Sequence, residues 1–115
     1  MKYLSSILRD LGAGRLSFWC PGCNDAHQIL YGTGSGPRWG YNGNADLPTF
    51  TPSIKVTWSE PSDKPEEQLD ETKDIEKCCH SFVTNGQIEF LSDCTHALAG
   101  TTVPLPSFPP GWGTS

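Results

Sequence analysis

The sequence predicts a small all-β domain, an antiparallel sheet stabilised by zinc, with a zinc-knuckle hairpin and a short N-terminal helix. Three observations carry this. Short alternating apolar runs are separated by turn residues, and Gly and Pro together supply 22 of the 115 positions. Residues 79–96 read CHSFVTNGQIEFLSDCTH, a hairpin with metal-ligating residue types at both ends. Far upstream stands a second pair, Cys20-Pro-Gly-Cys23.

The apolar fraction, 36%, is low for a globular chain. A chain so short and core-poor commonly needs a metal or disulfides. Its five cysteines cannot all pair with one another. The N-terminal stretch has no apolar run of signal-peptide length, and no segment is long enough to span a bilayer. The cysteines are therefore read as reduced, cytosolic and largely available to metal. The net charge of -5 is concentrated in 60–77, which holds eight acids against three bases. Without a basic stripe for a phosphate backbone, nucleic acid is not an expected partner.

Taken in order, residues 1–14 are expected to form the helix, because Leu4, Ile7, Leu8 and Leu11 share one face and Gly12 and Gly14 close it. Residues 15–105 form the single metal-stabilised β domain. Its expected strands are 16–20, 27–31, 53–58, 80–83, 87–91 and 101–105. The CxxC turn between the first two can aim both thiolates at one ion, whereas a redox pair needs a helix N-terminus that strand-like flanks do not offer. The loop GTGSGPRWGYNG lacks the GxxxxGK[ST] pattern of a phosphate loop. It instead displays Arg38, Trp39, Tyr41 and Asn42, a composition suited either to an interface or to covering a small core. Ile54, Val56 and Trp58 alternate with Lys55 and Thr57 as a half-buried strand. The acidic insertion 60–77 reads as a solvated connector. In the hairpin, Asn85-Gly86 supplies the positive φ values of a tight reversal. Residues 106–115 are a Pro/aromatic tail whose Phe108 or Trp112 covers apolar surface.

The hairpin returns Cys79 and His80 beside Asp93, Cys94 and His96. Cys20, Cys23, Cys79 and His96 are the preferred zinc ligands, with His27, His80 and Cys94 in reserve. Alternation points Cys79 and His80 to opposite faces, so both binding one ion is not expected.

Three segments, FWCPGC…H, WGYNGN…PTFTPSI and CHSFV.NG.I.FLSDCTHALAG, resemble an uncharacterised family of small proteins in tailed-phage and prophage genomes. Some relatives carry the label "ammonia monooxygenase". The resemblance covers roughly 18–105 and implies a phage accessory protein working in the host bacterial cytoplasm. On that footing the favoured function is a protein-binding module contacting a host or phage protein, host-directed or anti-defence, through Arg38, Trp39, Tyr41 and Asn42. A virion or assembly role is one alternative. The other is a zinc-dependent hydrolase or deaminase, in which water completes a three-ligand zinc, Asp93 or His80 acts as base and His96 donates a proton. The HxE…PCxxC pattern of zinc deaminases is absent. The balance of the reading is against an enzyme.

Overall fold

The structure, a computed structural model, describes residues 2–111. Two antiparallel sheets share one core. The first has strand order β1 (Lys2–Tyr3), β2 (Arg9–Gly12), β3 (Arg15–Cys20) and β4 (Asp25–Leu30). The second has the order β5 (Gly40–Tyr41), β6 (Phe50–Glu60), β7 (Ile75–Thr84), β8 (Gln87–Phe90) and β9 (Thr102–Pro104). Alternation explains which face each strand buries. Leu16, Phe18 and Cys20 of β3 and Ile29 of β4 join Phe50, Ile54, Cys79, Val83, Ile88 and Phe90 of the second sheet in the core. Phe18 and Phe50 stack across the sheets with ring centroids 6.0 Å apart.

The expected N-terminal helix does not form. Lys2–Tyr3 and Arg9–Gly12 are strands, and Arg9 and Asp10 pair with Ser17 and Leu16 of β3. The apolar spacing is real, since Leu8 is fully buried and Leu4 and Ile7 pack on the core. A helix of this length is marginal by itself, whereas the edge of β3 offers the backbone a complete ladder. Ser5 also works against a helix, because its hydroxyl donates to the Ala45 carbonyl and accepts from the Ile7 N–H.

The other strands lie close to their expected places, except that β6 and β7 are much longer and β5 falls within the expected loop. They form one hairpin whose register runs from Phe50↔Val83 to Glu60↔Ile75, so both ends of the acidic stretch are strand. The tip carries two single 3-10 turns, Pro65–Glu67 and Glu71–Lys73. Between Phe50 and Ile54 the register slips, and Thr51–Ser53 bulge opposite Phe82. The peptide Thr51–Pro52 in this bulge is cis. Phe108 lies against Trp19 on the outer side of β3, and its N–H donates to Ser6. Trp112 lies outside the described residues.

Asn85 and Gly86 make the β7–β8 turn with φ of 50° and 78°. A Cβ on Gly86 would also come within 3.1 Å of Leu47. Gly86→Ala is expected to cost about 1–2 kcal/mol, which is a fall of several degrees in melting temperature. An unchanged thermal melt would contradict this account of the turn.

Candidate active site and metal centre

The site is organised by how the lower half of β7 is flanked. Its upper half, Ser81–Thr84, lies between β6 and β8. Below Ser81, the segment after β8 takes over the place of β8. The Leu91 N–H donates to the His80 carbonyl at 2.9 Å, and the Thr95 N–H donates to the Cys78 carbonyl at 2.9 Å. Cys94 Sγ sits 3.2 Å from both the backbone nitrogen and the backbone oxygen of His80. Asp93 and His96 are thereby held beside β7, one on each face.

On the inner face, Cys20, Cys23, Cys79 and His96 bring one ligand atom each to within 4.8 Å of one another. The Cys20 and Cys79 sulfurs are 3.9 Å apart, and Cys79 Sγ lies 3.5 Å from His96 Nε2. Tetrahedral zinc with Zn–S of about 2.3 Å requires edges of about 3.8 Å between sulfurs and about 3.5 Å from sulfur to nitrogen. The cluster therefore has zinc-site dimensions. Its electrostatics ask for a cation as well. The Cys20 thiol is held far below its usual range by hydrogen bonds from Cys23, then Cys79, with His27 contributing. The hydrogen bond to that same sulfur pushes Cys23 up to about 12 and drives Cys79 well above the thiol range. Among themselves the three sulfurs accommodate one negative charge, and a divalent ion lets all three ionise.

Gly22 makes the geometry possible, since a Cβ there would fall 2.3 Å from the His96 ring. The Leu98 N–H lies 3.2 Å from His96 Nδ1. Metal ligation through Nε2 places the ring proton on Nδ1, so this contact has to open. His27 supports Cys20 from outside the cluster. Cys94 packs on the backbone of β7, and His80 faces the other way.

On the outer face, His80 Nδ1 lies 3.0 Å from Asp93 Oδ2, and His80 Nε2 lies 3.0 Å from Ser53 Oγ. This is the connectivity of a serine–histidine–carboxylate triad, recognised by geometry rather than by sequence order. The hydrogen bond from His80 holds the Asp93 carboxyl below its ordinary range. Lys55, opposite His80 in the β6–β7 register, places its ammonium 4.0 Å from the same carboxylate. Trp39 Nε1 donates to the Ser53 carbonyl at 3.2 Å, fixing the bulge that presents the hydroxyl.

Residues 3–91 match the family described as the bacterial ubiquitination-like system serine protease, BubE. The chain belongs to that family. Ser53 and His80 lie inside the matched span, and Asp93 lies two residues beyond it. No curated protein and no solved structure matches the chain.

Membership of BubE corrects several expectations. The chain is assigned to a family of bacterial proteases, not to a phage zinc-binding family, and the phage accessory reading falls with that resemblance. A protease family also overturns the expectation of a non-enzymatic binding module. Of the residues considered for catalysis, the structure joins His80 and Asp93 but assigns His96 to the metal cluster. Ser53 went unrecognised, because a lone serine after Thr-Pro has no motif such as GxSxG to mark it. The only available signal was its place on the polar face of β6, two residues before Lys55. In the expected interface loop, Arg38 donates to the Tyr31 carbonyl, and Tyr41 packs edge-on to Tyr31 and against Phe50. Asn42 caps its own loop through Leu47 and Asn44. No helix among the described residues is long and apolar enough to cross a membrane.

Gly22→Ala should lower zinc affinity about tenfold or more, the usual scale for disturbing a ligand's support. Competition against a chromogenic chelator measures it. An affinity equal to wild type would remove His96 from the coordination sphere.

Proposed function

We propose that this chain is a serine protease in which Ser53 is the nucleophile, His80 the general base and Asp93 the orienting acid, on a scaffold held by structural zinc. The observation that carries the reading is the pair of 3.0 Å contacts through the two nitrogens of His80. For Nε2 to accept the Ser53 proton, Nδ1 must carry the other, and Asp93 accepts a hydrogen bond there. Ser53 Oγ attacks the scissile carbonyl while His80 takes its proton. The C–N bond breaks as His80 returns that proton to the leaving amine. A water, activated by the same imidazole, then hydrolyses the acyl ester and frees Ser53.

Hydrolysis thus proceeds without a zinc-bound water. Cys20, Cys23, Cys79 and His96 would hold zinc with four protein ligands, the number that marks a structural rather than a catalytic site. Its contribution would be to tie β7 and the segment carrying Asp93 and His96 to the Cys20–Cys23 turn. The family's description links its members to a ubiquitination-like system, so the substrate we propose is a polypeptide of such a system.

A fluorophosphonate probe, which phosphorylates an activated serine with loss of fluoride, tests the assignment. Wild type should label once, at Ser53 by peptide mapping, and Ser53→Ala or His80→Ala should suppress labelling and peptidase activity by as much as about 10⁶-fold. Ser92→Ala should label normally, as a control for the exposed serine beside Asp93. Labelling that survives in Ser53→Ala would sink the triad.

A further inference from the structure

The triad opens on the outer face of the second sheet, and alternation decides what else stands there. From β7 these are Cys78, His80, Phe82 and Thr84, from β8 Gln87 and Glu89, and from β9 Thr102. Most of these are small or polar. Phe82 departs from the pattern, since it is a large apolar side chain of which 40% is exposed. It lies two residues beyond His80, about 7 Å along the strand, and opposite the bulge that carries Ser53. Its cross-strand partner is Glu89. Among the described residues no ion pair or hydrogen bond engages the Glu89 carboxylate. Phe82 and Glu89 both line a shallow depression of about 310 Å³, whose other walls are Thr84, Asn85, Gln87 and Thr102.

We propose that this depression is a substrate subsite that takes an arginine or lysine side chain of the polypeptide, close to the bond that is cut. An aromatic face set against a free carboxylate fits such a side chain in two ways. The aliphatic stem and the cation lie over Phe82, and the charged end reaches Glu89. Lys55 stands on the Asp93 side, 4.0 Å from that carboxylate and offset by it, so the Glu89 end of the face keeps a negative field. A substrate strand crossing the sheet would place its scissile carbonyl at Ser53 and a neighbouring side chain over Phe82. The position beside the scissile bond rests on the triad reading, and the chemistry of the depression does not.

The experiment has a cleavage arm and a binding arm. In the first, a positional-scanning library of tetrapeptide coumarin amides is offered to the full chain with its zinc in place. One position should favour Arg and Lys over norleucine and Gln by about tenfold, the scale of an exposed cation–aromatic contact with an ion pair. Glu89→Gln should remove most of that preference, and Glu89→Lys should turn it towards Asp and Glu. Phe82→Ala should raise KM for the Arg substrate, while Phe82→Trp should retain the preference. In the second arm, fluorescein-labelled peptide pools containing Arg or norleucine are titrated against Ser53→Ala by anisotropy. Tighter binding of the Arg pool, lost in Ser53→Ala/Glu89→Gln, supports the subsite even where no peptide is cleaved, which would be a failure of the triad alone. Cleavage without basic preference, a preference untouched by Glu89→Gln, or equal or absent binding of the two pools would overturn it. Zinc content equal to wild type verifies the fold of each variant.

Discussion

Cys79 and His80 are neighbours on one strand, and strand geometry sends their side chains to opposite faces. Everything chemical in the molecule depends on this. Cys79 turns inward to Cys20 and His96, while His80 turns outward to Ser53 and Asp93. The same arrangement repeats after β8, where Asp93 and His96 stand on opposite sides of the segment flanking β7. A slip of one residue between β6 and β7 would exchange the faces, taking Cys79 out of the cysteine cluster and His80 away from Ser53 and Asp93 together. The metal cluster opposes that slip, because it ties β7 to the Cys20–Cys23 turn of the other sheet.

Magnitudes show why such a tie belongs in this chain. Small domains retain net stabilities of about 5–15 kcal/mol after much larger opposing terms cancel. Structural zinc binds zinc-finger peptides with apparent free energies of about 10–16 kcal/mol near neutral pH. A term of that size is comparable to the whole margin, so metal occupancy and folding become one equilibrium. The apolar core includes Phe18, Phe50 and Phe90, and the Phe90 ring meets His96 edge-on with centroids 4.5 Å apart. Cys20 and Cys79 belong to both, which couples the packing of the two sheets to the ligand geometry.

The division between what could be read from the chain and what could not follows the range of the interactions. The β character, the Asn85-Gly86 reversal and the opposed faces of Cys79 and His80 are local, set by turn chemistry and a two-residue period. Zinc was legible because CxxC and a downstream Cys and His are a restricted set of residue types. The N-terminal segment misled because the spacing of Leu4, Ile7, Leu8 and Leu11 satisfies a helix, while the free edge of β3 that decides the matter lies outside the segment. Ser53 was hidden for a related reason. Its partner is 27 residues away, on a strand whose register is shifted by the bulge at Thr51–Ser53, and no local pattern encodes such a shift. The loop of Arg38, Trp39 and Tyr41 shows the same limit. Its composition suits either a contact surface or a cover for the core, and nothing local announces that the Trp39 indole holds the Ser53 backbone.

The exposure of the triad bears on the kind of substrate it can serve. Asp93 keeps 47% of its side-chain surface open and His80 keeps 22%, so charge gathered on His80 in the proposed reaction would be screened by water. Interactions of this kind strengthen severalfold when the local dielectric falls. Enzymes acting on small molecules obtain that gain from a cleft or lid that closes over the site. Here the triad lies on an open sheet face, beside the exposed ring of Phe82. A small ester or amide bound there would leave the triad wet. A polypeptide laid across β6, β7 and β8 would cover Ser53, His80 and Phe82 at once and exclude the water itself. The flat geometry therefore supports the polypeptide substrate proposed above on physical grounds that are independent of family membership.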